Sequence, residues 1–329
     1  MRVVEDIVVM GSEVPLRSPV RDERLLLSPP HPPKVPVKLW SDQRPLDVVH
    51  FPVEYSSVAY APPRAVYQND NIMVEWQTLN GRQPFYHRNS DVDEISYQVT
   101  GQRTLMTELG SIEFKTGEFS RIPQGVAHDN YCVGDIHLLF YTQAPVAELI
   151  PGYRESQPLF PPFPGWEPAS ANELVSNLRL TPQDVSVFPI DEQELLEHVL
   201  TDPQRMPVLR PEAQPGVTWL FATDQVQLGH VRTEANRERR YRRTLDADEV
   251  QYQISGRRTL LTQRGIVELE PGDFVRIPLG VSHSSVADQP TEYISIRTRN
   301  AVSQIAETTR IADPFTAGRL DALPAGVSS

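Results

Sequence analysis

Two stretches of the chain alternate apolar and polar positions with the two-residue period of a half-buried strand: ISYQVT at 95–100 and VQYQIS at 250–255. Both are rich in β-branched and aromatic residues, which favour a pleated surface. Each is followed by a glycine, Gly101 or Gly256, and then by a second run, RTLMTEL or RTLLTQR. Gly110 and Gly265 come next, then SIEFK and IVELE, then the tight turns TGEF and PGDF, and short strands ending at Pro123 and Pro278. These parallels belong to one repeat. Residues 86–128 and 241–283 align without a gap at an offset of 155 (241 minus 86), and about half of their positions are identical. A duplicated structural unit explains such self-similarity. Several short strands per copy, with turns roughly every 8–12 residues, predict an all-β barrel or sandwich.

Outside the copies, proline breaks the pattern. The chain has 31 prolines, about twice the usual share, which argues against a helical bundle and for strands, turns and irregular arms. The expected organisation is a Pro-rich N-terminal arm over 1–70, packing on the barrels, and a first barrel with the candidate site over 71–150. A Pro-rich linker follows over 151–215, then a second barrel over 216–300 and a tail over 301–329. In the linker, ANELVSNL and DEQELLEHVL predict two short helices, the second capped by Asp191. The tail is expected to be part helical and to end in a disordered LPAGVSS.

Composition narrows the functional classes. The 329 residues include 39% hydrophobic and 22% charged residues, an ordinary globular balance. A net charge of −12 makes phosphate backbones and anionic lipid poor partners. No apolar run is long enough to span a bilayer, and the start, MRVVEDIVVMGSEV, carries acids where a signal peptide has basic residues. A single cysteine, Cys132, excludes an internal disulfide framework and fits a cytoplasmic location.

The candidate chemistry lies in FYHRNSDVDE, residues 85–94. On a strand, His87, Asn89 and Phe85 share one face; after a turn, Glu94, Ser96 and Gln98 share a face of the next strand. If those faces line the interior, His87 and Glu94 converge, and PQGVAH brings His128 alongside. The spacing Gly81-x5-His87-x-Asn89-x4-Glu94-x6-Gly101, followed by Gly117-x5-Pro123-x-Gly125-x2-His128, resembles both signature motifs of the cupin superfamily. The second copy keeps Glu249, Gly256, Gly272, Pro278, Gly280 and His283, so the chain looks like a bicupin of two jelly-roll barrels. It departs from the usual pattern twice. Asn89 replaces the second histidine of the first motif, and Cys132 replaces the asparagine that often closes the second.

His87, Glu94 and His128 then make a set of two imidazoles and a carboxylate, which suits non-haem Fe(II) and leaves positions open for substrate and O2. The string YHRN with a nearby carboxylate is also similar to the iron site of homogentisate 1,2-dioxygenases, and its His-x-Asn start to that of two-subunit hydroquinone dioxygenases. Glu94 lies one residue further from His87 than in the former family, so Asp93 competes for the role. Glu94 is preferred because Glu249 matches it in the second copy. The resemblance implies an Fe(II)-dependent, ring-opening dioxygenase acting on a small dihydroxy or hydroxy-carboxy aromatic compound, and a homo-oligomer. Two rival readings share the ligand set: a metal-dependent isomerase or decarboxylase, and a non-enzymatic metal-binding bicupin.

The remaining polar residues have plainer readings. Asn89 reads as a weak or water-bridged ligand, as a hydrogen-bonding partner behind the ligands, or as structural; the second is preferred because an amide oxygen is a poor ligand for Fe(II) beside imidazole. Gln98 orients substrate or is structural, and its repetition as Gln253 favours the latter. Phe85 lines the pocket or packs in the core. In the second copy Arg242 replaces His87, and a guanidinium does not ligate metal. Arg242 is therefore expected to pair with Glu249 at an inactive second site, with His283 a core residue. His31, His50, His137, His198 and His230 read as structural or surface, Cys132 as buried and inert, and Asp91 and Asp93, repeated as Asp246 and Asp248, as turn residues.

Overall fold

The computed structural model describes residues 1–12, 14–29, 34, 44–54, 60–160, 166–178 and 184–323. His31 and most of LPAGVSS lie outside the described residues. The chain folds as two jelly-roll barrels, as the repeat predicts. In the first barrel the long strands Asp93–Thr107 and His128–Thr142 pair antiparallel along most of their length. Ile72–Arg82 and Arg64–Gln68 extend the sheet on one side, Phe119–Ile122 and Pro207–Leu209 on the other. The second barrel is split between an eight-stranded sheet centred on Thr291–Thr298 and Asp248–Ser255 and a six-stranded sheet that holds Tyr241–Thr244 and His283–Val286.

Strand alternation separates two interiors. In the first copy Ile95 and Tyr97 face the core between the barrels, whereas Glu94, Ser96 and Gln98 face the barrel lumen. The shared core stacks Tyr97 on Phe119 (centroids 4.5 Å apart) and, in the second copy, Tyr252 on Phe274 (4.6 Å). Phe51 from the N-terminal segment bridges the barrels, stacked on Trp76 at 5.0 Å.

The Pro-rich segments are more ordered than their composition implies. Within 1–70, Arg2–Val8 joins the second barrel's six-stranded sheet, Asp47–His50 its eight-stranded sheet, and Arg64–Gln68 the first barrel. ANELVSNL is a correction: it is not a helix but the strand Ser170–Asn177, hairpinned with Asp184–Asp191 and parallel to Tyr86–Asn89. DEQELLEHVL is the helix Glu192–Thr201, with the Asp191 carboxylate accepting from Gln193 N as expected. The tail carries the helix Ala317–Ala322.

The duplication thus reaches beyond the aligned 43 positions (86 to 128). Ser170–Asn177 pairs in parallel with Tyr86–Asn89, and Arg2–Val8 pairs in parallel with Tyr241–Thr244. Arg88 binds Glu173 as Arg243 binds Glu5, and Tyr86 Oη donates to Glu192 as Tyr241 Oη donates to Glu23. The first barrel therefore receives a strand and a short helix from the linker that follows it, and the second receives the equivalent pair from the N-terminal segment.

Candidate metal centre

The structure brings His87, Glu94 and His128 together, with one donor atom from each lying within 4.8 Å of the others. His87 pairs with His128 across adjacent strands, and Glu94 enters from the strand on the other side of His128–Thr142. Glu94 Oε2 is 3.4 Å from His128 Nε2 and 4.0 Å from His87 Nδ1. Asp93 is committed elsewhere: it binds the Arg121 guanidinium at 2.9 Å and accepts from Gln124 N at 2.8 Å.

The outer nitrogens of both imidazoles are occupied. His128 Nδ1 donates to the Val126 carbonyl at 3.2 Å, which leaves Nε2 as the lone-pair nitrogen facing Glu94. His87 Nε2 meets Ser176 Oγ at 2.7 Å, Ser176 Oγ donates to Asn89 Oδ1 at 3.2 Å, and Asn89 Nδ2 donates to Glu94 Oε2 at 2.9 Å. Asn89 therefore lies behind the donors, linking one to another. Burial pushes the Glu94 carboxyl up, but His128 and His87 beside it hold it down at about 2. Burial and the neighbouring His128 lower His87 to about 4. Two neutral-capable imidazoles and an ionised carboxylate, converging with their tautomers fixed, form a donor set that fits a divalent transition metal.

The donors open onto a cavity of about 320 Å³, a size that suits a small ligand. Phe85 lines it, edge-on to Tyr60 at 5.8 Å. Gln98 does not: it is buried beneath, donating to Asp135 Oδ1 at 2.5 Å and accepting from Arg103 Nε at 3.0 Å. Gln253 accepts from Arg258 in the same way, so this amide is structural in both copies. Ser176, Glu75, His137 and Tyr141 are among the lining residues that the sequence did not point to. Ser176 was hidden in the misread helix. Glu75 sits in an apolar strand, and burial together with Glu94's charge pushes its carboxyl up to about 7. His137 and Tyr141 alternate inward on His128–Thr142. An inward polar residue in an otherwise apolar strand, as in IMVEWQ or IHLLFY, is the signal that would have found them.

No protein-family model matches the chain. A stretch of 74 residues is 31% identical to a Saccharolobus solfataricus protein provisionally named dioxygenase SSO1533, covering 22% of this chain and 19% of that relative's length. Among solved structures, the chain is similar to a cupin 2 conserved barrel domain protein from Leptotrichia buccalis, at 10% identity over 74% of this chain and 92% of that one, with a TM-score of 0.46. It is also similar to a variant of Bacillus subtilis oxalate decarboxylase, at 13% identity over 91% and 89%, with a TM-score of 0.44.

The second barrel differs at the same place. Arg242 pairs with His283 in the register of His87 and His128. Glu249 faces more than the expected Arg242: Arg297, with Nε 3.6 Å from Oε2, is the cation that lowers its carboxyl most, and Arg242 lowers it as well. Arg297 also lies 4.4 Å from the Trp219 ring centroid, and Trp219 packs so closely on Gly229 that an added Cβ would come within 2.6 Å of the ring. By strand register, Arg297, Trp219 and Gly229 stand where the first barrel has Tyr141, Ala65 and Glu75. A cation and an indole thus take positions that line the cavity in the first copy.

Ser176→Ala should weaken metal binding by about 10–100-fold without removing a donor, since partners that orient ligands typically have that effect. Isothermal titration with Zn(II) reads it. Unchanged affinity would show that the Ser176–Asn89 link does not orient His87.

Proposed function

We propose that the first barrel holds one Fe(II) at His87, Glu94 and His128 and opens the ring of a small aromatic compound bearing two hydroxyls, or a hydroxyl and a carboxylate, at the expense of O2. The observation that supports this reading is the donor set itself, three side chains converging on one wall of a cavity large enough for a single ring. Such a metal supplies chelation of the substrate oxygens and passes electron density from substrate to O2.

The chain's own residues do the rest. Ser176 and Asn89 hold His87 and Glu94 in place. Phe85, Tyr60 and Leu139 offer apolar surface to a ring and exclude water. Glu75, Gln77 and Asn130 supply polar contacts that fix its orientation. The test is O2 uptake by protein loaded anaerobically with Fe(II), across dihydroxy and hydroxy-carboxy aromatics. Consumption of one O2 per ring, with loss of the aromatic absorbance, is expected for at least one member. Turnover of a panel of small hydroxy- and keto-acids without O2 uptake would instead identify an isomerase or decarboxylase.

The metal stoichiometry follows from the second barrel. One ion per chain should remain after gel filtration, because Arg297 and Arg242 place positive charge where the second ion would sit. Two tightly held ions per chain, by elemental analysis, would contradict this.

A further inference from the structure

His137 is 1% exposed and lines the metal cavity, yet it belongs to no signature motif. Its Nδ1 is 2.6 Å from Asp135 Oδ2. An ionised carboxylate only accepts, so the hydrogen is on Nδ1 and Nε2 keeps its lone pair. That Nε2 is buried and has no hydrogen-bond partner among the described residues. Asp135 is itself fixed, with Gln98 Nε2 2.5 Å from Oδ1 and Arg103 bound behind Gln98. Besides Asp135 on its own strand, the charged groups acting on His137 are Arg103 and Glu94 from Asp93–Thr107. Burial outweighs Asp135 and keeps the imidazole neutral. The second barrel, which lacks the donor set, also lacks this pair: by strand register Tyr293 stands at the place of His137. A carboxylate–imidazole pair in the wall of a binding cavity, with one ring nitrogen unpartnered among the described residues, is an arrangement suited to taking a proton.

We propose that His137, oriented by Asp135, is the base that takes the proton from the hydroxyl of a phenolic substrate entering the cavity. The substrate O–H bond breaks, an N–H bond forms at Nε2, and the electron pair stays on oxygen. The phenolate is then free to bind at the donor set, and Asp135 balances the imidazolium charge. This rests on the phenolic substrate proposed above.

Two measurements test it. The first uses protein loaded with redox-silent Zn(II) and the coloured phenol 4-nitrocatechol, whose visible spectrum separates the bound phenol from its anion. The parent protein should bind it as the anion. His137→Gln should keep its metal content but bind the probe at least tenfold more weakly, with less anion at neutral pH; Asp135→Asn should fall between. With Fe(II) and substrate, His137→Gln should lose about 10²–10⁴-fold in turnover. Equal affinity and equal ionisation in parent and His137→Gln would overturn the assignment while leaving the ring-opening reading intact. Failure of the parent to bind any phenol would overturn that reading and this one with it. The second needs no variant: ¹⁵N-resolved spectra of the parent's histidines should show His137 as the neutral Nδ1–H tautomer. An Nε2–H tautomer would overturn the proposal.

Discussion

His87→Ala, Glu94→Ala and His128→Ala each abolish tight metal binding while leaving the strand content unchanged. Each variant leaves two donors from different strands, and among the described residues no other His, Cys, Asp or Glu joins the group. The loss should be largest for Glu94, the only carboxylate in the set, whose charge both histidines face. Asp93 does not take its place, because turning it inward would break its bonds to Arg121 and Gln124. Metal content after dialysis measures the effect. Full occupancy in Glu94→Ala, with loss in Asp93→Ala, would assign the carboxylate the other way.

Arg297→Met should destabilise the second barrel by about 3–5 kcal/mol, the usual effect of removing one side of a buried pair. Glu249 and Arg297 are 4% and 3% exposed, so neither charge is solvated when its partner is lost. Burial pushes the Glu249 carboxyl up, and Arg297, first among the cations around it, brings it down to about 2. The folded-state value is thus below the usual 4.5. This interaction stabilises the fold above the unfolded carboxyl's range and is lost as pH falls towards 2. Without Arg297 the sign reverses: burial favours the protonated acid, so the deficit relative to the parent grows from acid to neutral pH. Glu249→Leu combined with Arg297→Met should be close to the parent, since apolar replacement of both partners is often near neutral. Urea unfolding of the two single variants and the double variant measures this, and additive losses would show that the two groups do not interact.

The repeat and the donor set were legible because each is a local or periodic signal. Alternation in ISYQVT and VQYQIS, and histidines and a glutamate at fixed distances from glycines, survive in the sequence whatever the chain does elsewhere. What was not legible depends on distant pairing. Ser170–Asn177 buries Glu173 and Ser176, three residues apart, which is a helical spacing. Parallel pairing with Tyr86–Asn89 makes it a strand and delivers Ser176 to His87. The Arg297 substitution was hidden by a register change. Between His283 and Arg297 the second copy is one residue longer than the first is between His128 and Tyr141 (14 positions against 13), so the offset becomes 156 (297 minus 141) and Arg297 matches Tyr141. A constant offset of 155 matches it to Thr142 instead, which points away from the site. Arg242 was expected beside Glu249 because it replaces His87, and it acts on that carboxyl together with Arg297.

The proposed function depends on where the metal lies. Crystals of protein loaded anaerobically with Fe(II), measured on either side of the iron absorption edge, should give one anomalous peak per chain, between His87 Nδ1, Glu94 Oε2 and His128 Nε2. A peak elsewhere, a second peak beside Glu249, or no peak in protein that retains its iron would contradict it.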